Sequence, residues 1–319
     1  MSDDAGFDQR RPLLSIVSPM WNEAESADAF LTELTRALGE LDDVDIEILI
    51  VDDGSTDATA SILADWEDRT PGLTVVSLSR NFGHQAAITA GVFTASGDAV
   101  VVMDSDLQDP PELIAEMVAQ WRSGADVVYA VRKERRGETW FKRSTAATYY
   151  RLLGWMSETE IPADTGDFRL MSREVVDALK SMPERDRYMR GMVAWVGFRQ
   201  VPVYFDRAER HGGKTKYSLR RMVRLGTSGV VGFSDKPLYL AIVFGFFVML
   251  LAFLGLVYVV LSALFGWGYL VRGWASVVIT VMFFAAVQLI FLGVIGIYVS
   301  RVFVESKARP LYIVKRRDR

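Results

Sequence analysis

Between Pro237 and Val271 the chain carries no charged residue, and after the single Arg272 the run from Gly273 to Ser300 is again uncharged. Each run exceeds the ~20 residues that an α-helix needs to cross a bilayer, and core helices of soluble proteins seldom stay apolar for so long. The sequence therefore predicts two membrane spans. Phe265 to Gly273, with glycines at 266, 268 and 273 among aromatic residues, reads as the tight turn between them. Orientation follows from the flanks. Arg220, Arg221, Arg224 and Lys236 precede the first run, and Arg301, Lys307, Arg309, Lys315, Arg316, Arg317 and Arg319 follow the second, whereas the turn is flanked by Arg272 alone. The positive-inside rule then places both termini in the cytoplasm and makes the chain a multi-pass protein of the inner (plasma) membrane. The opening residues, MSDDAGFDQRR, have no apolar core and are not expected to serve as a secretory signal.

N-terminal to these runs the apolar segments are short. Leu13–Ser18, Ile46–Val51, Leu73–Leu78, Ala99–Met103 and Val127–Val131 are rich in Val, Ile and Leu, and they alternate with helical patterns near Glu25–Leu41, Asp57–Asp68, His84–Ala95 and Pro111–Trp121. That βαβ rhythm calls for an α/β domain with a mostly parallel sheet covered on both faces. The expected organisation is a cytosolic α/β domain over 1–217, a juxtamembrane amphipathic helix over 218–236, a transmembrane helical hairpin over 237–300, and a cytoplasmic tail over 301–319. Within that tail, Pro310–Val314 can return as a short strand. Thr139–Met156, where aromatic and basic residues mix, fits either a core-packing amphipathic helix or one lying at the lipid surface. The formal charge of −4 conceals an asymmetry, with acidic residues prevailing in the N-terminal half and basic ones beside the spans. That basic collar enforces topology and can also attract anionic headgroups. There is no cysteine, which excludes disulfides and thiolate metal sites.

Two of the predicted strands end in acidic pairs. Asp104-Ser105-Asp106 closes the run Ala99–Met103, and with Gln108 it forms a cluster of hard oxygen ligands suited to Mg²⁺ or Mn²⁺. Asp52-Asp53 closes Ile46–Val51 and leads into Gly54-Ser55-Thr56-Asp57, a turn that also reads as a helix N-cap. Ligands of open α/β sheets bind beyond the carboxyl ends of the strands, so both pairs can face one crevice.

Four segments in order, Pro19-Met20-Trp21-Asn22-Glu23, Val51–Asp57, Asp104–Asp109 and Thr165-Gly166-Asp167-Phe168-Arg169-Leu170, resemble the motifs of family 2 glycosyltransferases with the GT-A fold. The resemblance is to the polyprenyl-phosphate branch, which includes bactoprenol glucosyltransferases and dolichol-phosphate mannose synthases, and it extends through the apolar C-terminal part. It implies an inverting transfer of a sugar from a nucleotide sugar, with UDP-glucose the first choice, to polyprenyl (undecaprenyl) phosphate. Mannose from GDP-mannose and aminoarabinose are alternatives for the sugar, and a non-catalytic nucleotide-sugar-binding scaffold is the alternative from another class. No nucleic-acid partner is expected, and relatives of this type form homo-oligomers, tetramers among them.

The resemblance also implies roles. Pro19, Trp21 and Glu23 would frame the base and ribose; Trp21 stands where tyrosine is usual. Asp53 would contact the base or ribose with Asp52 supporting it, and Arg132 would lie near the diphosphate. Asp104 and Asp106, with Gln108 as third ligand, would hold the metal. Asp167 is the candidate catalytic base, although an acceptor that is already a phosphate scarcely needs deprotonation, so its carboxylate can equally orient the acceptor. Arg210, Lys214 and Lys216, in RHGGKTKY, supply countercharge and backbone freedom for a lipid phosphate. His84 is expected to be structural or to support the site from behind.

Overall fold

The computed structural model describes residues 11–132, 165–185, 187–205 and 274–315, together with scattered helical positions between 244 and 265. These fall into two compact units, the sheet domain with the tail from Pro310, and the helical segment ending at Arg309. Thr139–Met156, the expected 218–236 helix, residues 266–273 of the expected Phe265–Gly273 turn and the cluster Arg210, Lys214 and Lys216 lie outside the described residues, while Phe265 itself is helical.

The sheet domain opens with the expected alternation: β1 (Leu13–Met20), α1 (Ala27–Leu38), β2 (Asp45–Asp52), α2 (Thr59–Arg69), β3 (Leu73–Ser77), α3 (His84–Thr94), β4 (Ala99–Val102), α4 (Leu113–Arg122) and β5 (Val127–Arg132). Four further elements then complete it: β6 (Thr165–Ser172), α5 (Arg173–Ser181), α6 (Met189–Trp195) and β7 (Gln200–Phe205). The sheet order is β3-β2-β1-β4-β6-β5-β7. Only β6 runs against its neighbours, antiparallel to both β4 and β5, while the remaining ladders are parallel.

Burial explains the composition of the strands. From Leu14 onward β1 is buried at every position, as is β4, because helices cover both faces. Of the two buried serines in β1, Ser15 is paired, its Oγ donating to Glu47 and accepting from the backbone N–H of Gly97, whereas Ser18 Oγ has no partner among the described residues. In α1 the buried residues Ala27, Phe30, Leu31, Leu34 and Leu38 fall on one face at helical spacing. By contrast α3 is buried from Ala87 to Val92 without a polar stripe, as befits a helix pressed into the centre of the domain. Gly91 makes that close approach possible, since a Cβ there would overlap Val17 of β1 and Val51 of β2.

At the C-terminus, Val314 forms an antiparallel bridge with Leu78, Ser79 N–H donates to the Ile313 carbonyl at 2.8 Å, and Lys315 N–H donates to the Ser77 carbonyl at 2.8 Å. The tail thereby covers the outer edge of β3, the terminal strand of the sheet.

In the helical unit, α7 (Trp274–Ser306) spans 33 residues, roughly 50 Å at 1.5 Å per residue. Among the described residues it is the one helix long and apolar enough to cross a membrane, over Phe283–Ser306 with mean hydropathy 2.2. It continues past Ser300, where the uncharged run stops, and carries Arg301 in its last turns.

Candidate active site

Strand order places the site. β1 has β2 on one side and β4 on the other, so the chain reverses its direction of travel across the sheet between β1 and β4, and the carboxyl ends of these two strands are where a sheet of this kind binds its ligands. Pro19–Glu23 leave β1 there, and Asp104–Asp106 leave β4. Ser105 Oγ donates to the Pro19 carbonyl at 3.3 Å and joins the two loops.

The loops after β1 and β2 are laced together. Asn22 N–H donates to Ser55 Oγ, Thr56 N–H to Asn22 Oδ1 at 2.8 Å, Glu23 N–H to Thr59 Oγ1 at 2.9 Å and Ala24 N–H to Asp57. Asn22 adopts φ 54°, a left-handed conformation that asparagine tolerates. Asp57 also accepts from Thr59 N–H at 3.0 Å, so it caps the start of α2 from just before the helix. Asp52 Oδ1 accepts from Ser55 N–H at 2.9 Å. The two oxygens of buried Asp53 accept from Phe82 N–H and Gly83 N–H at 2.7 and 2.9 Å, which ties down the loop leading into α3. Of the residues expected to frame a base, Trp21 is 51% exposed on the crevice loop, and Glu23 accepts from Ser26 Oγ at 2.7 Å.

The antiparallel insertion of β6 brings in the next group. Val102 of β4 pairs with Arg169, and extending that register by two residues sets Asp104 opposite Asp167. The side chains meet there with His84, the first residue of α3: one ligand atom from each of His84, Asp104 and Asp167 lies within 4.8 Å of the others. His84 Nε2 sits 3.1 Å from Asp167 Oδ2 and 3.4 Å from Asp104 Oδ1. Asp106, exposed, lies outside this trio, and its Oδ1 accepts from Gln108 N–H at 3.1 Å. Gln108 itself is buried. Arg132 is the last residue of β5, a strand parallel to β4 and so ending at the same edge of the sheet.

The two carboxylates of the trio have opposite surroundings. Asp167 is 3% exposed and receives Arg190 through Nε at 2.8 Å and Nη2 at 3.1 Å, Gln85 Nε2 at 3.4 Å and His84. Burial works against its charge, but the hydrogen bonds from His84 and Arg190 and the charges of Arg190 and Arg169 prevail and hold it well below the usual carboxylate range. Asp104 is pushed up to about 6, chiefly by burial, with Asp167, Asp106 and Asp109 adding to the effect and His84 opposing it. Its buried Oδ1 has no hydrogen-bond partner among the described residues. For His84, burial disfavours the charged ring, yet the hydrogen bond to Asp167 and the charges of Asp104 and Asp167 raise its pKa. Arg169, fully enclosed beneath Asp167, is lowered by burial to about 10 and stays charged at neutral pH; its Nη2 donates to the Gly166 carbonyl at 2.9 Å.

An orphaned carboxylate oxygen beside an imidazole and a second carboxylate is a donor set that fits a divalent cation, which would relieve the cost of the unpaired acceptor. The trio differs from the set expected from sequence. Asp104 is common to both; Asp167 and His84 join it in space, 63 and 20 residues away along the chain. The one sequence clue for His84 was Gly83 just ahead of an expected helix, and the structure puts that glycine at φ 100°; for Arg190, in YMRGMVAW, there was none.

The model of the family described as "Glycosyl transferase family 2" matches residues 15–180, from within β1 through β6. The chain belongs to that family. As a family 2 glycosyltransferase with an α/β, GT-A-like, mostly parallel sheet, it is an enzyme of the transferase class. It is 46% identical over 305 residues to the uncharacterized glycosyltransferase YkcC of Bacillus subtilis (strain 168), covering 95% of this chain and 93% of that one. With the bactoprenol glucosyl transferase of Shigella phage SfV it shares 40% identity over 302 residues, 95% of this chain and 98% of that one. Among solved structures, the mannosyltransferase PcManGT from Pyrobaculum calidifontis, in complex with GDP-Man and Mn²⁺, superposes with TM-score 0.48 at 22% identity, over 68% of this chain and 61% of that one.

Proposed function

We propose that this glycosyltransferase moves glucose from UDP-glucose to polyprenyl (undecaprenyl) phosphate at the cytoplasmic face of the inner membrane, with inversion at the anomeric carbon and with a divalent cation. The observation that carries this reading is the 40% identity with a bactoprenol glucosyl transferase over nearly the full length of both chains, apolar C-terminal segment included.

In this reading Pro19, Trp21 and Glu23, with Asp52 and Asp53 behind them, frame the base and ribose. Trp21 offers an exposed aromatic face, and Asp53 keeps lone pairs beyond the two spent on the backbone. Asp104, with Asp106 and Gln108 as expected from the sequence, would hold the cation, Mg²⁺ or Mn²⁺, and Asp167 and His84 lie close enough to Asp104 to join them. When bound, such an ion supplies countercharge to the departing nucleoside diphosphate, and Arg132 adds to it. Asp167, held ionised by Arg190, orients the acceptor on the face opposite the leaving group. A phosphate acceptor arrives already ionised, so position matters more than proton transfer.

The two uncharged runs, 237–271 and 273–300, form a transmembrane hairpin with both termini cytoplasmic, and the protein assembles as a homo-oligomer. Arg210, Lys214 and Lys216 grip the lipid phosphate as it emerges from the bilayer. Replacing any of them by Ala raises the apparent KM for polyprenyl phosphate roughly tenfold or more, with little change for the donor, as expected for loss of a charge-assisted contact.

The test is a donor screen with purified full-length protein in detergent, a short-chain polyprenyl phosphate and Mn²⁺, following sugar transferred to lipid. UDP-glucose should be the preferred donor. Preference for another nucleotide sugar would overturn the choice of glucose, and transfer to a non-lipid acceptor in place of polyprenyl phosphate would overturn the acceptor.

A further inference from the structure

Asp167 is reached by side chains from three parts of the chain, and two of them belong neither to the cation-binding trio nor to any motif singled out in the sequence. Arg190, from α6, applies its guanidinium fork to both carboxylate oxygens, Nε to Oδ1 at 2.8 Å and Nη2 to Oδ2 at 3.1 Å. Gln85, from the first turn of α3, sends Nε2 to Oδ2 at 3.4 Å, while its Oε1 accepts from the backbone N–H of Met189 at 2.9 Å. The amide has one sensible orientation here. A backbone N–H needs an acceptor, so the oxygen faces Met189 and the NH₂ is left to face the carboxylate. One side chain thus ties the start of α6 to the start of α3, next to the two residues, Arg190 and His84, that flank Asp167 from either side.

We propose that Arg190 and Gln85 form a clamp that positions Asp167, fixing Oδ1 through the guanidinium and turning Oδ2 toward His84 and Asp104. Both are positioning residues, acting through Asp167 and not on the sugar. The inference rests on the reading of Asp167 as part of the transfer site. Its geometric basis is the donor set: Arg190 Nε on Oδ1, and Arg190 Nη2, Gln85 and His84 on Oδ2, so the protein fixes the orientation of Asp167 while Oδ1 keeps a lone-pair direction open for a cation. Neither clamp residue can be replaced by its nearest relative without a defined loss. Lysine at 190 keeps the charge but has no planar fork. Glutamate at 85 still accepts from Met189 N–H but opposes Asp167 with an acceptor.

The experiment compares Arg190→Lys and Gln85→Glu with the unaltered full-length protein in detergent. Three quantities are measured: Mn²⁺ affinity by electron paramagnetic resonance without substrates, kcat and donor KM with UDP-glucose and polyprenyl phosphate, and thermal midpoint. Each variant is expected to bind Mn²⁺ roughly tenfold or more weakly, the range for lost support of a metal ligand, and to lose kcat by a similar factor while donor KM changes by less than about twofold. The Mn²⁺ titration needs neither donor nor acceptor, so it judges the clamp even if the substrates named above are wrong; in that case wild-type turnover fails while the affinity difference remains. Wild-type Mn²⁺ affinity in Gln85→Glu overturns the clamp, as does a donor KM that rises in step with a fall in kcat. If Arg190→Lys does not fold, Gln85→Glu decides alone.

Discussion

Asp104 and Asp167 stand at one sheet edge and differ in what surrounds them: four donor contacts converge on Asp167, whereas Asp104 Oδ1 has His84 Nε2 3.4 Å away but no hydrogen bond among the described residues. Their amide substitutions should therefore fail differently. Asp104→Asn removes the orphan acceptor without breaking any hydrogen bond at that oxygen, so the fold and thermal midpoint should hold while transfer falls by about 10²-fold or more and Mn²⁺ binding weakens. Full activity in this variant, or undiminished turnover of the native protein in excess EDTA, contradicts a role for the cation. Asp167→Asn should also lower turnover by at least ~10²-fold. It should lower the thermal midpoint too, because a neutral amide leaves Arg190 and enclosed Arg169 without countercharge, and stripping one partner from a buried pair costs about 3–5 kcal/mol. If donor affinity falls in proportion to turnover, Asp167 belongs to the donor pocket instead.

Two elements determine where His84 stands. α3 presses on β1 and β2 through Gly91, and the loop ahead of it is held by Asp53 and by Gly54, where φ is 68° and a Cβ would run into the backbone of Arg80 and Asn81. Gly91→Val should lift α3 and destabilise the protein by about 1–3 kcal/mol, the usual cost of overpacking, seen as a lower midpoint in thermal unfolding. The second element is the tail strand on β3. A chain ended after Arg309 loses the partners of Ser77 and Ser79, so amide exchange at Ser79, one residue ahead of the loop to His84, should accelerate markedly; unchanged protection there would show that the tail adds nothing to that edge. These helices and strands were largely legible in advance, because a buried parallel strand must be apolar at nearly every position and a half-buried helix must repeat at 3.6. β6 and β7 were not, since TGDFRLMS and QVPVYF mix polar and apolar residues without a clean period; they are strands because the sheet offers them partners.

For the molecule as a whole, membrane topology is the open quantity that sequence alone already addresses. The chain has no cysteine, so a single introduced thiol reports without background. Gly268→Cys, in the expected turn, should be modified by a membrane-impermeant maleimide added outside intact cells, whereas Ser2→Cys should react only after lysis. Labelling of both from the same side would refute a hairpin of two spans with cytoplasmic termini.

What the sequence determined by itself is what depends on neighbours along the chain: the uncharged runs, the βαβ alternation, and carboxylates at strand ends, each set by local burial and by the fixed geometry of strand and helix. What only the tertiary structure decided is which of those carboxylates meet. Asp104 lies two residues from Asp106 in sequence, but it is Asp167 that joins it with His84, because β6 enters the sheet antiparallel and in register with β4, and Arg190 follows because Gln85 ties the start of α6 to α3. Those contacts are made through space between segments 20 to 104 residues apart, and no local periodicity encodes a pairing whose partner is chosen by strand order.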